Sequence, residues 1–244
     1  MKRIGILGGM TPESTVTYYQ HIVHTWQQRH HDHRYPEIVI FSESFQQFED
    51  WMEAGEWDAV FDALSEGVGR LAAAGADFAV IATNTMHLLF DRLQAASAIP
   101  LLSIVEATAA AVRRAGLSTV GLLGTRFTME KPVYAEGLAR HGVATVVPPE
   151  RERADIHRVI MEELSMGALH DASRARYLEI IDGLTARGAQ GIVLGCTEIP
   201  LLVTPRHTEV PLFDTAVLHA EAALEYAVAP ERNVERPERE ERNV

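Results

Sequence analysis

A single cysteine among 244 residues excludes an internal disulfide and fits a reducing compartment, so the chain is expected in the cytoplasm. Positive charge is also scarce. Lys and Arg number 22 against 34 Asp and Glu, a formal net charge of −12. That balance argues against nucleic acid and anionic membrane as partners. It does not exclude an acidic small molecule, because backbone N–H groups at a helix start act locally against a distant field. No apolar run reaches membrane-spanning length, and the one behind Lys2 and Arg3 is too short for a signal peptide. A length of 244 residues allows one large domain or two small ones. From about residue 229 the sequence becomes almost continuous charge, with Glu-Arg-Asn-Val at 231–234 and again at 241–244. Such a segment cannot bury a core, and 229–244 is expected to be a solvated tail.

What the chain does contain is a repeat. Residues 76–89 read Ala-Asp-Phe-Ala-Val-Ile-Ala-Thr-Asn-Thr-Met-His-Leu-Leu, and residues 189–202 read Ala-Gln-Gly-Ile-Val-Leu-Gly-Cys-Thr-Glu-Ile-Pro-Leu-Leu. Each is an apolar run entering a short polar cluster after a Gly-Ala step. In register, Thr83 falls opposite Cys196, the one thiol. The likeness extends upstream, where 64–75 aligns with 177–188 through Glu66/Glu179, Leu71/Leu184 and Ala73/Ala186. Gly5-Ile6-Leu7-Gly8-Gly9 likewise aligns with Gly121-Leu122-Leu123-Gly124-Thr125.

Short β-branched runs at 4–7, 38–41, 78–82 and 101–104, and again at 120–123, 143–147, 192–194 and 210–213, read as buried parallel strands. Amphipathic segments near 13–29, 57–74, 105–115, 128–141, 152–166 and 172–187 lie between them. This alternation predicts an α/β protein of two pseudo-symmetric lobes, each a mostly parallel sheet flanked by helices. Residues 1–103 plus 213–228 are expected to form a discontinuous first lobe, and 104–212 the second. Ligands of open α/β sheets sit beyond the carboxyl ends of the strands, which puts the active site in the interlobe cleft.

The candidate residues cluster at those ends. Gly8-Gly9-Met10-Thr11-Pro12 leads from strand to helix, with Thr11 as N-cap and Pro12 at the first helical position. Free N–H groups at Met10 and Thr11 suit a carboxylate or phosphate. A dinucleotide fingerprint lacks its third glycine there. Asn84, Thr85, Thr197 and Glu198 offer hydroxyl, amide and carboxyl groups for a small zwitterion, or caps for the helices that follow. Cys196 follows Gly195 and near helix N-termini is expected to be a low-pKa thiol, although a lone cysteine also reads as a small buried hydrophobe. The tract His30-His31-Asp32-His33 has metal-binding composition but reads as a solvated loop, and no metal site is assigned. His87 reads equally as a group behind the site and as a satisfied helix-turn histidine.

The three motifs, Gly-Gly-Met-Thr-Pro-Glu-Ser-Thr at 8–15, Thr-Asn-Thr-Met-His at 83–87 and Leu-Gly-Cys-Thr-Glu-Ile-Pro-Leu-Leu at 194–202, closely resemble the cofactor-independent aspartate/glutamate racemase family over residues 1–228. The resemblance implies two α/β lobes and catalysis with no cofactor. Usual members carry a cysteine on each lobe, one removing the Cα proton and the other returning it on the opposite face. Here Thr83 stands at the first position and only Cys196 at the second, a pattern resembling the subset that acts on L-aspartate and L-glutamate. The resemblance thus implies Thr83 and Cys196 as the catalytic pair and an acidic amino acid as partner. Conversion from L to D is expected to be favoured in rate, since an alkyl hydroxyl is no match for a thiolate as a base. Some relatives grip the substrate carboxylates with Arg and Lys. This chain has no clear counterpart, and Gln46, near one of those places, is grouped with Met10, Thr11, Asn84, Thr85, Thr197 and Glu198 as substrate-binding. Many relatives form dimers, which implies a homodimer. The same scaffold also hosts single-cysteine decarboxylation or isomerisation of small dicarboxylates, and a non-catalytic binding protein is the third alternative.

Overall fold

The computed structural model describes residues 1–230, so the tail expected at 229–244 lies, from residue 231 on, outside the described residues. In the first half, β1 (Ile4–Gly8), α1 (Pro12–His30), β2 (Ile38–Ser42), α2 (Phe45–Ala54), α3 (Trp57–Ala73), β3 (Phe78–Ile81), α4 (Phe90–Ala96) and β4 (Leu101–Leu102) follow in order. Helix α5 (Ile104–Arg114) leads to β5 (Thr119–Gly124), α6 (Arg126–Glu130), α7 (Pro132–Arg140), β6 (Ala144–Val146), α8 (Glu150–Glu162), α9 (Asp171–Ala186), β7 (Ile192–Gly195), α10 (Ile199–Leu202), β8 (Leu212–Asp214) and α11 (Thr215–Val228).

The strands form two four-stranded sheets in the orders β2-β1-β3-β4 and β6-β5-β7-β8, with every pairing parallel. The identical order is the structural form of the sequence repeat. Strands β1, β3 and β7 are buried at every position, because helices cover both faces of each sheet. Alternation along each strand feeds two separate cores. Leu7, Ala79 and Ile81 pack with Val60, Leu64 and Leu71 of α3 on one face of the first sheet. Ile4, Ile6, Phe78 and Val80 pack with Tyr18 and Ile22 of α1 and Ala220 and Leu224 of α11 on the other. In the second sheet, Leu123, Ile192 and Leu194 meet α8 and α9, while Leu122, Val193 and Phe213 meet α5 and α7.

Three details differ from the sequence expectation. The helix expected at 128–141 is two helices, because Pro132 has no N–H to continue the first and instead starts α7. The short helices α2 and α4 were not expected, being only 10 and 7 residues long. The segment expected to return to the first lobe from 213 begins two residues later, since Phe213 and Asp214 pair with Val193 and Leu194 on β8 of the second sheet. Asp214 then caps α11, its carboxyl accepting from the N–H groups of Ala216 and Val217 at 3.0 and 3.2 Å. From Thr215 the helix lies against α1 and β1 of the first sheet and against α5. Helices α5 and α11 are thus the two crossings between the lobes.

Candidate functional site

The carboxyl ends of β1 and β3 face those of β5 and β7 across a cavity of about 430 Å3. Thr83 lies two residues past β3, where its N–H turns back to the Ile81 carbonyl at 2.8 Å. Its own carbonyl is held by Nδ1 of His87 at 2.8 Å, while Nε2 of His87 accepts the Ile104 N–H at 3.1 Å. This pairing sets the tautomer, with the proton on Nδ1. Burial drives the His87 pKa down to about 4, so the ring is neutral near pH 7. Cys196 follows β7 directly. A side chain at Gly195 would stand 2.9 Å from the Leu123 carbonyl oxygen and 3.0 Å from Thr128, so close packing of β5 on β7 requires glycine there. Gly9 has φ +87°, and its turn sends Met10 and Thr11 into the cavity wall.

Met10, Thr11, Thr83, Asn84, Thr85, Cys196, Thr197 and Glu198 all line this one cavity. Gln46 does not. It is exposed on α2, its amide donating to Glu49 and Asp50 at 3.3 and 3.0 Å, and Phe45 lines the cavity in its place. The cause is the 100° step between neighbours in a helix, which sends positions 45 and 46 to different faces.

Two further expectations need correction. Thr11 occupies the N-cap position of α1, but its hydroxyl caps nothing. It donates instead across the cleft to Oε1 of Glu198 at 2.6 Å. Cys196 is also not a low-pKa thiol. Its sulfur is buried, and the S–H donates to Oε2 of Glu198 at 2.8 Å. Burial, then the Glu198 charge, pushes the thiol pKa well above its ordinary value, outweighing the N–H groups of Glu198 and Thr197 that act the other way. The resting sulfur is therefore a thiol with a carboxyl acceptor. Thr197 donates to the same carboxyl at 2.9 Å, so Glu198 receives three donors. That pattern suits an ionised carboxylate, which only accepts.

Thr85 and Thr125 hydroxyls meet across the cleft at 3.2 Å. Asn84 lines the cavity, yet its amide reaches the seam between the lobes, Nδ2 donating to Thr215 Oγ1 at the start of α11 at 3.0 Å and Oδ1 accepting from the hydroxyl of Tyr134 in the second lobe. In the tract at 30–33, Asp32 accepts from Trp26 Nε1 at 2.8 Å and from Arg34, and so closes the end of α1.

Other lining residues carry no sequence motif. Arg126, Arg153, His157 and Arg158 come from α6 and α8. Arg153 pairs with Glu130, and Arg158 with Glu162 and Glu163. Arg126 is exposed, lies over the Phe127 ring at 4.8 Å, and has no carboxylate partner among the described residues. His157 is half-buried, and burial followed by the Arg126 charge lowers its pKa. Phe45, Met52, Met86, Phe127 and Met161 form an apolar part of the wall. In the sequence these groups are single positions on ordinary amphipathic helices, which only the packing turns toward one cavity.

A family model described as Asp/Glu/Hydantoin racemase matches residues 7–223. The chain is 25% identical over 226 residues to the broad specificity amino-acid racemase RacX of Bacillus subtilis (strain 168), covering 91% of this chain and 96% of that protein. A Yersinia pestis protein assigned as an Asp/Glu racemase has a crystal structure that superposes with a TM-score of 0.86 at 40% identity, covering 94% of this chain and all of that one. An aspartate racemase homologue from Pyrococcus horikoshii OT3 superposes with a TM-score of 0.82 at 34% identity and the same coverage.

Proposed function

The chain belongs to the Asp/Glu/hydantoin racemase family, and from that premise we propose that it interconverts the enantiomers of aspartate and glutamate without a cofactor, fastest from L to D. That it is an isomerase, an amino-acid racemase, follows from the family. The observation that carries the finer reading is the asymmetry of the cavity: one thiol with a carboxyl acceptor at 2.8 Å on one wall, and an alcohol on the other.

An amino-acid Cα–H is a very weak acid, and its removal needs a base and dipoles aimed at the forming carbanion. In our reading Glu198 takes the Cys196 proton as the sulfur takes the α-proton of the L isomer. The negative charge that Glu198 held passes to Cα and the substrate carboxylate. The Met10 and Thr11 backbone and the Thr85 and Thr197 hydroxyls lie in the wall to receive it. A proton then arrives on the opposite face from the Thr83 hydroxyl, directly or through water; solvent replaces the one Thr83 gives, and Glu198 returns its proton to solvent, which restores the starting state. The reverse direction requires Thr83 to act as base. An alcohol does this poorly, so kcat is higher from L to D; because the equilibrium between enantiomers is unity, kcat/KM is equal in the two directions and KM is higher for the L isomer in the same proportion.

The acidic preference is supported by Arg126. It is the one cavity arginine without a carboxylate partner among the described residues, in a wall that also contains Glu49, Glu53, Glu130, Glu150 and Glu162. Its guanidinium is free to pair with a second carboxylate of the ligand, against the repulsion of those glutamates. A second reading, a wider substrate range, is favoured by the apolar stretch of wall at Phe45, Met52, Phe127 and Met161. One experiment tests both. A panel of L-amino acids is incubated in deuterated water, with α-exchange followed by NMR and enantiomers by chiral chromatography. Exchange and inversion of aspartate and glutamate ahead of the rest support the first reading, and equal turnover of methionine or phenylalanine supports the second. Carbon dioxide release from a substituted malonate, with no exchange of any amino acid, would replace both with a decarboxylase.

A further inference from the structure

Asn84 sits next to Thr83 on the first lobe, but its side chain bonds Tyr134 of the second lobe and Thr215, the first residue of the crossing helix α11. Its Nδ2 donates to Thr215 Oγ1 at 3.0 Å, and that hydroxyl in turn donates to the Leu194 carbonyl at 2.9 Å. Its Oδ1 accepts from the hydroxyl of Tyr134, a fully buried residue of α7. Leu194 is two residues before Cys196 on β7. A buried chain of hydrogen bonds therefore runs from the backbone beside Thr83 to the backbone beneath Cys196. Asn84 is 4% exposed, and Thr215 and Tyr134 are fully buried, so water does not compete for these bonds.

We infer that Tyr134 and Thr215 are positioning residues for racemisation, acting through Asn84 to hold the Thr83 and Cys196 walls in register on opposite faces of the substrate. The inference rests on the racemase reading above. Neither residue lines the cavity, so neither touches the substrate. Their effect is confined to the geometry between two walls. Removing the α-proton and returning it on the same face uses the Cys196 wall alone. Inversion needs both walls at a set spacing, and a misplacement of about 1 Å lowers such a step by roughly a hundredfold. The two outcomes therefore separate a positioning role from simple damage.

The test compares Tyr134→Phe, Thr215→Val and Thr215→Ser with the wild-type protein. Tyr134→Phe keeps the buried ring and removes only the hydroxyl. Thr215→Val keeps the shape and breaks the chain, and Thr215→Ser keeps the hydroxyl. Each is assayed on L-aspartate and L-glutamate in deuterated water, reading exchange with retention and inversion to D side by side. Tyr134→Phe and Thr215→Val are expected to lower inversion by about tenfold or more, with exchange and KM held within about threefold. Thr215→Ser is expected to restore the wild-type ratio. An unchanged ratio in Tyr134→Phe, or an equal fall of exchange and inversion, would overturn the inference, and Tyr134→Phe decides alone if Thr215→Val does not fold. Absence of any α-exchange in the wild-type protein would instead remove the racemase reading itself, and the positioning role with it.

Discussion

Two buried neutral histidines, His87 and His219, are expected to make the stability of this protein fall on mild acidification. His87 holds the Thr83 carbonyl. His219 on α11 bonds the Tyr18 hydroxyl at 2.8 Å and the Leu102 carbonyl at 3.0 Å. Burial lowers their pKa values from 6.5 to about 4 for His87 and about 3 for His219, where the neighbouring His87 adds to the effect. In the unfolded chain both titrate at about 6.5. Between pH 6.5 and the folded values the unfolded state binds more protons, so stability is lost as pH falls through that window. At pH 5 each histidine is 1.5 units below its unfolded value and still neutral when folded, which amounts to about 2 kcal/mol apiece and about 4 kcal/mol together. Burial raises the carboxyl pKa values of Asp214 and Glu43, which work in the opposite sense, while the lowered pKa of His157 adds to the fall. A loss of this size is a large part of the roughly 5–15 kcal/mol of a typical domain. The assay is urea unfolding at pH 7, 6 and 5, followed by tryptophan fluorescence and by circular dichroism. His219→Gln, which keeps a donor and an acceptor but cannot ionise, is expected to halve the fall between pH 7 and 5. A stability independent of pH over this range, or a His219→Gln protein with the full wild-type slope, would refute the reasoning.

Cys196→Ala is expected to lose nearly all α-exchange of L-aspartate in deuterated water while folding normally, and retained exchange would remove the sulfur from the role of base. Glu198→Gln keeps a hydrogen-bond acceptor for the thiol but removes the charge that draws its proton, so a fall in kcat of about 100-fold to 10,000-fold is expected from steady-state rates. Thr83→Cys supplies a thiol to the opposite wall and is expected to raise kcat on D-aspartate more than kcat on L-aspartate, while kcat/KM changes equally in the two directions because the equilibrium constant is fixed. Arg126→Met is expected to raise KM for aspartate and glutamate by about tenfold or more without a matching change for a neutral amino acid, since one charge-assisted pair contributes about 1.5–3 kcal/mol.

The repeat in the sequence already determined the two lobes, because a buried parallel strand needs a continuous apolar run and a strand end needs small or polar residues. Both appear twice, at 76–89 and 189–202, and the two sheets share one strand order. The same logic brought Met10, Thr11, Thr83, Asn84, Thr85, Cys196, Thr197 and Glu198 to one cavity, since parallel strands present their carboxyl ends on one side. Gln46, grouped with the site only by its nearness to a place where relatives grip the substrate, stands on the exposed face of α2, and nothing in its local sequence said which face of that short helix is inward. Tertiary structure alone decided the chemistry of the sulfur. Nearness to helix starts suggests an easily ionised thiol, but desolvation and the facing Glu198 outweigh those N–H groups, and burial is a property of the assembled lobes rather than of neighbours in sequence. It also decided that Arg126 is the cavity arginine without a carboxylate partner among the described residues, and that Asn84 is tied to Tyr134 and Thr215, residues 50 and 131 positions away. Local sequence specifies which elements form and which ends they offer. Side chains far apart in the chain acquire partners, charge states and roles only when two separately buried cores bring their edges together.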